Sequence, residues 1–168
     1  MSDETNAVRI VGPTEGKSIM WGFAVYKLSG EDTGGAFSVV EHNLQPGMLG
    51  APMHTHRDVD ELSYIVEGEI GVLIGDREVR AGPGTFVLKP KGIPHTFWNP
   101  GSSPARLVEV IWPAGFERYF EELDQLLSST GGQPDPVQIT ELAGRYGMEM
   151  DFGSIPGLME KYGVKLAG

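Results

Sequence analysis

With 168 residues, 40% of them hydrophobic and 21% charged, the chain is long enough for one domain with a core and too short for two ordinary ones. A formal net charge of -10 sets it against phosphate backbones and anionic lipid surfaces, so neither nucleic acid nor membrane is an expected partner. The lack of cysteine excludes disulfide frameworks, thiolate metal sites and cysteine nucleophiles, while 24 glycines and 12 prolines favour many tight turns between short strands.

The first residues, MSDETNAVRIVGPTEG, are polar and acidic and lack the basic-then-apolar order of a secretory signal. No apolar run approaches a membrane span, and a cytoplasmic location is expected. Residues 1–18 read as an N-terminal arm. From residue 19 to 113 the pattern is strand and turn. IMWGFAVYKL (Ile19–Leu28) and AFSVVEHNL (Ala36–Leu44) read as strands separated by the turn-forming GEDTGG. ELSYIVEGEIGVLIGDREVRAGPG (Glu61–Gly84) reads as two or three strands with turns at Glu67-Gly68 and Gly75-Asp76. TFVLKP and HTFWN follow, and ARLVEVIW (Ala105–Trp112) is the last, stopped by Pro113. So many short strands without an intervening helix indicate an antiparallel sandwich or barrel.

The period changes after Pro113, and residues 114–168 read as a helical extension. Phe116, Tyr119, Phe120, Leu123 and Leu127 fall on one helical face, with Glu117, Glu121, Glu122 and Asp124 on the others. In DPVQITELAGRYG (Asp135–Gly147), Asp is the N-cap, Pro the first helical residue and Gly the stop. Ser154–Gly163 predicts a short third helix. Single apolar stripes require cover. These helices pack on the barrel or a partner, or close over a pocket mouth.

One constellation carries chemistry. Residues two apart in a strand share a face, so His54 and His56 point the same way, and Glu61 can reach the same point from the next strand. Further on, GTFVLKPKGIPHTFWN (Gly84–Asn99) is a strand, a turn and a second strand headed by His95. Folding the pair back on itself brings three imidazoles and one carboxylate together. Such a donor set suits one divalent transition metal (Fe, Mn, Ni, Co, Cu or Zn) and leaves coordination positions open for chemistry.

The two stretches resemble the signature motifs of the cupin family. Against G-x5-HxH-x3,4-E-x6-G, the chain matches at His54, His56, Glu61 and Gly68, while the leading Gly is out of register between Gly47 and Gly50. Against G-x5-PxG-x2-H-x3-N, it matches throughout at Gly84, Pro90, Gly92, His95 and Asn99. The resemblance implies an all-β double-stranded β-helix, the jelly-roll barrel, followed by C-terminal helices. It implies metal ligation by His54, His56, Glu61 and His95 and a structural Asn99. Among small bacterial cupins the chain is similar to quercetinase-like dioxygenases, which implies oxygen chemistry on an enol or phenol, with Glu61 doubling as general base. A non-redox isomerase or lyase, or a non-catalytic small-molecule binder, is the alternative. Such barrels often pair through sheet edges, so a homodimer is expected.

Strand parity puts Ser63 and Ile65 on the face of Glu61, and Phe97 on that of His95, as substrate-pocket candidates. The inward set reads as apolar with no lysine or arginine firmly inside, which favours a hydrophobic or aromatic substrate over a phosphorylated one. Phe86 and Leu88 share a face that parity leaves open, and Arg106 is unassigned. His42, the fourth histidine, reads as a hydrogen-bonded or surface residue, with a supporting role behind the metal as the minor alternative.

Overall fold

A computed structural model describes residues 8–166. It contains two sheets, antiparallel except for one parallel edge pair in the second, whose inner faces share one core. The first sheet has the order β1-β2-β3-β11-β6-β9, from β1 (Lys17–Ile19), β2 (Ala24–Leu28), β3 (Ser38–Leu44), β11 (Ala105–Trp112), β6 (Asp60–Glu67) and β9 (Phe86–Lys89). The second has the order β12-β5-β10-β4-β13, from β12 (Met148–Asp151), β5 (Met53–His56), β10 (His95–Trp98), β4 (Met48–Leu49) and β13 (Lys165–Leu166). A hairpin of β7 (Ile70–Ile74) and β8 (Arg77–Ala81) is added through β7 on β10. Leu44, Ile65, Val87 and Leu107 of the first sheet pack against Ile70, Val72, Ala81 and Phe97 of the second, which makes the sandwich a closed jelly roll.

The long apolar run at residues 19–28 is not one strand. Met20 and Trp21 adopt left-handed backbone conformations (φ 48° and 54°) in a 3-10 turn over Met20–Gly22 that separates β1 from β2. Non-glycine residues rarely sit there, and such strain concentrates at functional edges. The Met20 N–H is tied 2.7 Å from the Asp124 carboxylate on α1 (Glu117–Ser129), which holds the turn in place.

The extension beyond residue 113 is not purely helical. It holds α1, α2 (Pro136–Arg145) and α3 (Ile155–Tyr162), but also β12 and β13, which complete the second sheet. Both strands are short: β12 alternates Met-Glu-Met-Asp over only four residues, and β13 has two. They exist because β5 and β4 offer open edges for pairing. Helix α2 begins as its sequence predicts, with Asp135 accepting from the Val137 N–H at 2.8 Å and Gln138 completing a capping box. The apolar faces of α1 and α2 join Ile19, Tyr26, Val40 and Ile111 in a second core between the helices and the first sheet. Trp98 alternates with inward Phe97 and points out of the barrel. It stacks on Tyr162 at 3.8 Å and packs with Leu49 and Leu158 of α3. No helix is long and apolar enough to cross a membrane among the described residues.

Candidate metal centre

The four residues singled out by spacing converge. One nitrogen each of His54, His56 and His95 and one oxygen of Glu61 all lie within 4.8 Å of one another, and all four side chains are buried. Register explains the convergence: His95 on β10 pairs directly with His54 on β5, and the turn after β9 returns the chain so that the Gly92 N–H donates to the His56 carbonyl at 2.7 Å. Gly92 has φ 78°, the left-handed region that glycine enters freely. At the near end, a Cβ on Gly50 would lie 2.4 Å from the Phe97 ring, so only glycine allows that loop to close on β10.

Backbone carbonyls orient two of the imidazoles. His54 Nδ1 lies 2.9 Å from the Pro52 carbonyl and His95 Nδ1 3.1 Å from the Ile93 carbonyl. A carbonyl only accepts, so both Nδ1 atoms carry a proton, which leaves Nε2 of each ring as the atom that can bind an ion. Burial, reinforced by the neighbouring His95 and His56, holds the His54 imidazole well below its usual range and therefore neutral. Both ring nitrogens of buried His56 lack a hydrogen-bond partner, although its Nε2 is 3.2 Å from Glu61. Orphaned nitrogens facing a carboxylate are costly unless a cation satisfies them. The donor set and this orphan both fit a divalent transition ion. Phe116 seals the group edge-on, its centroid 4.4 Å from that of His56.

Lys89 departs from the sequence reading, which expected no inward cation. It is 2% exposed and bridges two buried carboxylates, 3.0 Å from Glu61 and in close contact with Glu109. In β9, Val87 and Lys89 face inward while Phe86 and Leu88 face solvent, which settles the parity. With two carboxylates on it, Lys89 is an inward cation already paired within the protein. Burial pushes Glu61 up, but the Lys89 ammonium and the His56 and His95 contacts outweigh it and hold the carboxyl well below the ordinary range. That makes Glu61 a willing ligand and a poor proton acceptor, which weakens the general-base role its family resemblance implied. Glu109 also accepts from Ser63 Oγ at 2.9 Å and lies 3.2 Å from His42 Nε2.

A cavity of about 800 Å³ adjoins the site, lined by His54, His56 and Glu61 on one side. Phe97 also lines it. Ser63 and Ile65 do share the inward face of β6 with Glu61, but they are not pocket residues: Ser63 is taken up by Glu109 and Ile65 is sealed in the barrel core. The sequence reading missed most of the remaining wall. Phe120, Leu123 and Leu127 of α1, with Met148 and Met150 of β12, close it from the extension, and the strained Trp21, 72% exposed, stands at its rim. The one-sided stripe of α1 is the available signal, and it is shared between the second core and the cavity. Asn99 is structural, donating to the Leu44 and Ser103 carbonyls. Arg106 lies outside the site, in contact with Glu41 and Glu67.

Fold and site define a jelly-roll barrel with a buried three-histidine, one-glutamate centre able to bind a metal. Residues 40–111, the stretch that carries all four candidate ligands, match the Cupin domain family. The chain is 30% identical over 109 residues to oxidoreductase iacF of Pestalotiopsis fici, covering 58% of this chain and 53% of that protein, so the chain spans about half the length of this relative. Among solved structures it is similar to a double-stranded β-helix protein from Klebsiella pneumoniae (23% identity, TM-score 0.49, 62% of this chain and 84% of that one). It is also similar to TT1209 from Thermus thermophilus (27% identity, TM-score 0.47, 67% and 96%).

Proposed function

We propose that the protein is a metal-dependent dioxygenase in which His54, His56, Glu61 and His95 hold one divalent transition metal and the adjoining cavity takes a small apolar or aromatic substrate bearing an enol or phenol. The observation that carries this reading is the union of a complete four-residue donor set with a cavity walled by aromatic and methionine side chains. The oxidoreductase description of the Pestalotiopsis fici relative supports the redox class. A bound ion would supply Lewis acidity and, where redox-active, electron exchange with O2. The protein's own part is to fix the three imidazoles by backbone carbonyls, to set the charge of Glu61 through Lys89, and to exclude water with Phe116 and the α1 face. Incubation of the metal-loaded protein with flavonols and other enols is expected to give turnover in air and none under nitrogen, with both atoms of 18O2 entering product. Equal rates without oxygen would end the dioxygenase reading. Full activity with redox-inert zinc would point to an isomerase or lyase, and tight binding without turnover at any metal to a binding module.

We further propose a homodimer formed through the outer face of the first sheet. Tyr64, Phe86 and Leu88 are exposed there, with Tyr64 and Phe86 rings 4.7 Å apart, and β9 is an edge strand with one side unpaired. An apolar outward stripe on an open edge is what a second copy can cover and what a monomer avoids. Light scattering is expected to return twice the chain mass, and Phe86→Glu/Leu88→Lys to return the single mass. A wild-type protein already at the single mass defeats the proposal.

A further inference from the structure

The cavity has a second polar pole besides the candidate metal ligands. His42 on β3 is 1% exposed and lines the cavity, among the rings of Phe23 (5.2 Å), Phe97 (5.8 Å) and Phe120 (5.6 Å). Its Nε2 faces Glu109 Oε2 at 3.2 Å, and its Nδ1 has no hydrogen-bond partner. Burial and Glu61 push Glu109 up, but Lys89 and the His42 contact prevail and hold it below the usual carboxylate range. Glu109 is therefore an acceptor, and the proton between the two groups sits on His42 Nε2. A neutral imidazole that donates from Nε2 keeps its lone pair on Nδ1. A buried nitrogen acceptor without a partner, set among three aromatic rings, costs stability unless something donates to it.

We infer that His42 is the recognition residue for a hydroxyl group on a planar aromatic ligand: the hydroxyl donates to His42 Nδ1, and the ring packs against Phe23, Phe97 and Phe120. This deepens the reading of the cavity as a substrate site and rests on it, but not on the identity of the metal. Glu109, Lys89 and Ser63 act behind His42 as positioning residues that fix its tautomer. The carboxylate-imidazole pair and the aromatic surround together select a phenol or enol over a purely hydrocarbon ring, because a ligand without the hydroxyl leaves Nδ1 unpaired.

The test uses 2-naphthol and 2-methylnaphthalene, which differ in the hydroxyl alone among their polar groups. Affinities are measured by fluorescence titration of wild type and His42→Phe, with metal uptake of both proteins measured separately. The ratio of the two affinities is expected to move about tenfold against 2-naphthol in His42→Phe, while metal uptake stays that of wild type. An unchanged ratio, or failure of 2-naphthol to bind wild type, overturns the assignment. Loss of metal uptake with His95→Ala but a retained ratio would leave it standing, which separates it from the metal reading. Should His42→Phe not fold, 15N-histidine spectra of wild type decide. The His42 Nδ1 resonance must shift on adding 2-naphthol and not 2-methylnaphthalene, and absence of that difference is equally fatal.

Discussion

His95→Ala is expected to abolish stoichiometric metal uptake and, with it, the whole metal-dependent gain in thermal stability. His95 sits at the junction of the two motifs, paired with His54 on one side and 3.1 Å from Glu61 Oε2 on the other. Changing a group that merely orients a ligand already costs about 10–100-fold in affinity, so losing a ligand itself should cost more. An ion present at about 1,000 times its dissociation constant stabilises the folded state by about 4 kcal/mol. For a chain of this size that corresponds to a rise in melting temperature of about 8–16 °C in wild type and none in the variant. The variant should still fold, because His95 contributes no apolar contact that Thr96, Phe97 and Trp98 do not hold in place on β10. Calorimetry with and without added ion, beside elemental analysis, reads both effects. Unaltered uptake in His95→Ala would remove the four-ligand site.

The ligand set was legible because it depends on short-range facts. Two residues apart on a strand means one face, and a Pro-x-Gly turn returns the chain. Those local rules allow His54, His56, Glu61 and His95 to meet, and the resemblance to the two cupin motifs is what implies that they do. The group behind them was not legible. Lys89 ends a four-residue strand immediately before Pro90, where a lysine resembles a turn residue, and nothing within β9 says which parity is inward. Glu109 lies in ARLVEVIW, whose alternation was visible but whose inward residue includes a carboxylate only because Lys89, Ser63 and His42 arrive from three other strands. Such a network is a property of long-range register, and single-sequence periodicity carries no information about it. The same holds for the two-residue β13, while the Met-Glu-Met-Asp alternation of β12 is too short to stand out from the helices around it. The cavity roof was half legible: the apolar stripe of α1 demanded a partner, but its sequence could not distinguish barrel, second subunit and pocket.

Lys89→Met is expected to be the most destabilising single change away from the ligands, and its cost should fall when the ion is present. Lys89 is the shared cation between Glu61 and Glu109, and all three side chains are at most 4% exposed. Burial lowers the lysine's proton affinity, but the Glu109 and Glu61 carboxylates outweigh that and raise it above the ordinary lysine range, so the ammonium is charged at neutral pH. Removing one partner of a buried ion pair leaves an uncompensated charge and costs about 3–5 kcal/mol, whereas removing charge from both sides together costs far less. Lys89→Met should therefore lower the melting temperature of the metal-free protein by on the order of 10 °C. Adding Glu109→Gln to it should recover part of that loss, since the amide is neutral and can still accept from Ser63; the two changes are thus strongly non-additive. A divalent ion at the four ligands restores positive charge beside Glu61, so the same substitution should cost less in metal-loaded protein and should raise, not lower, affinity for the ion. Thermal melts of wild type, both single variants and the double variant, each with and without metal, close the cycle. Additive losses, or a metal-free Lys89→Met as stable as wild type, would show that the lysine is not the charge on which Glu61 and Glu109 depend.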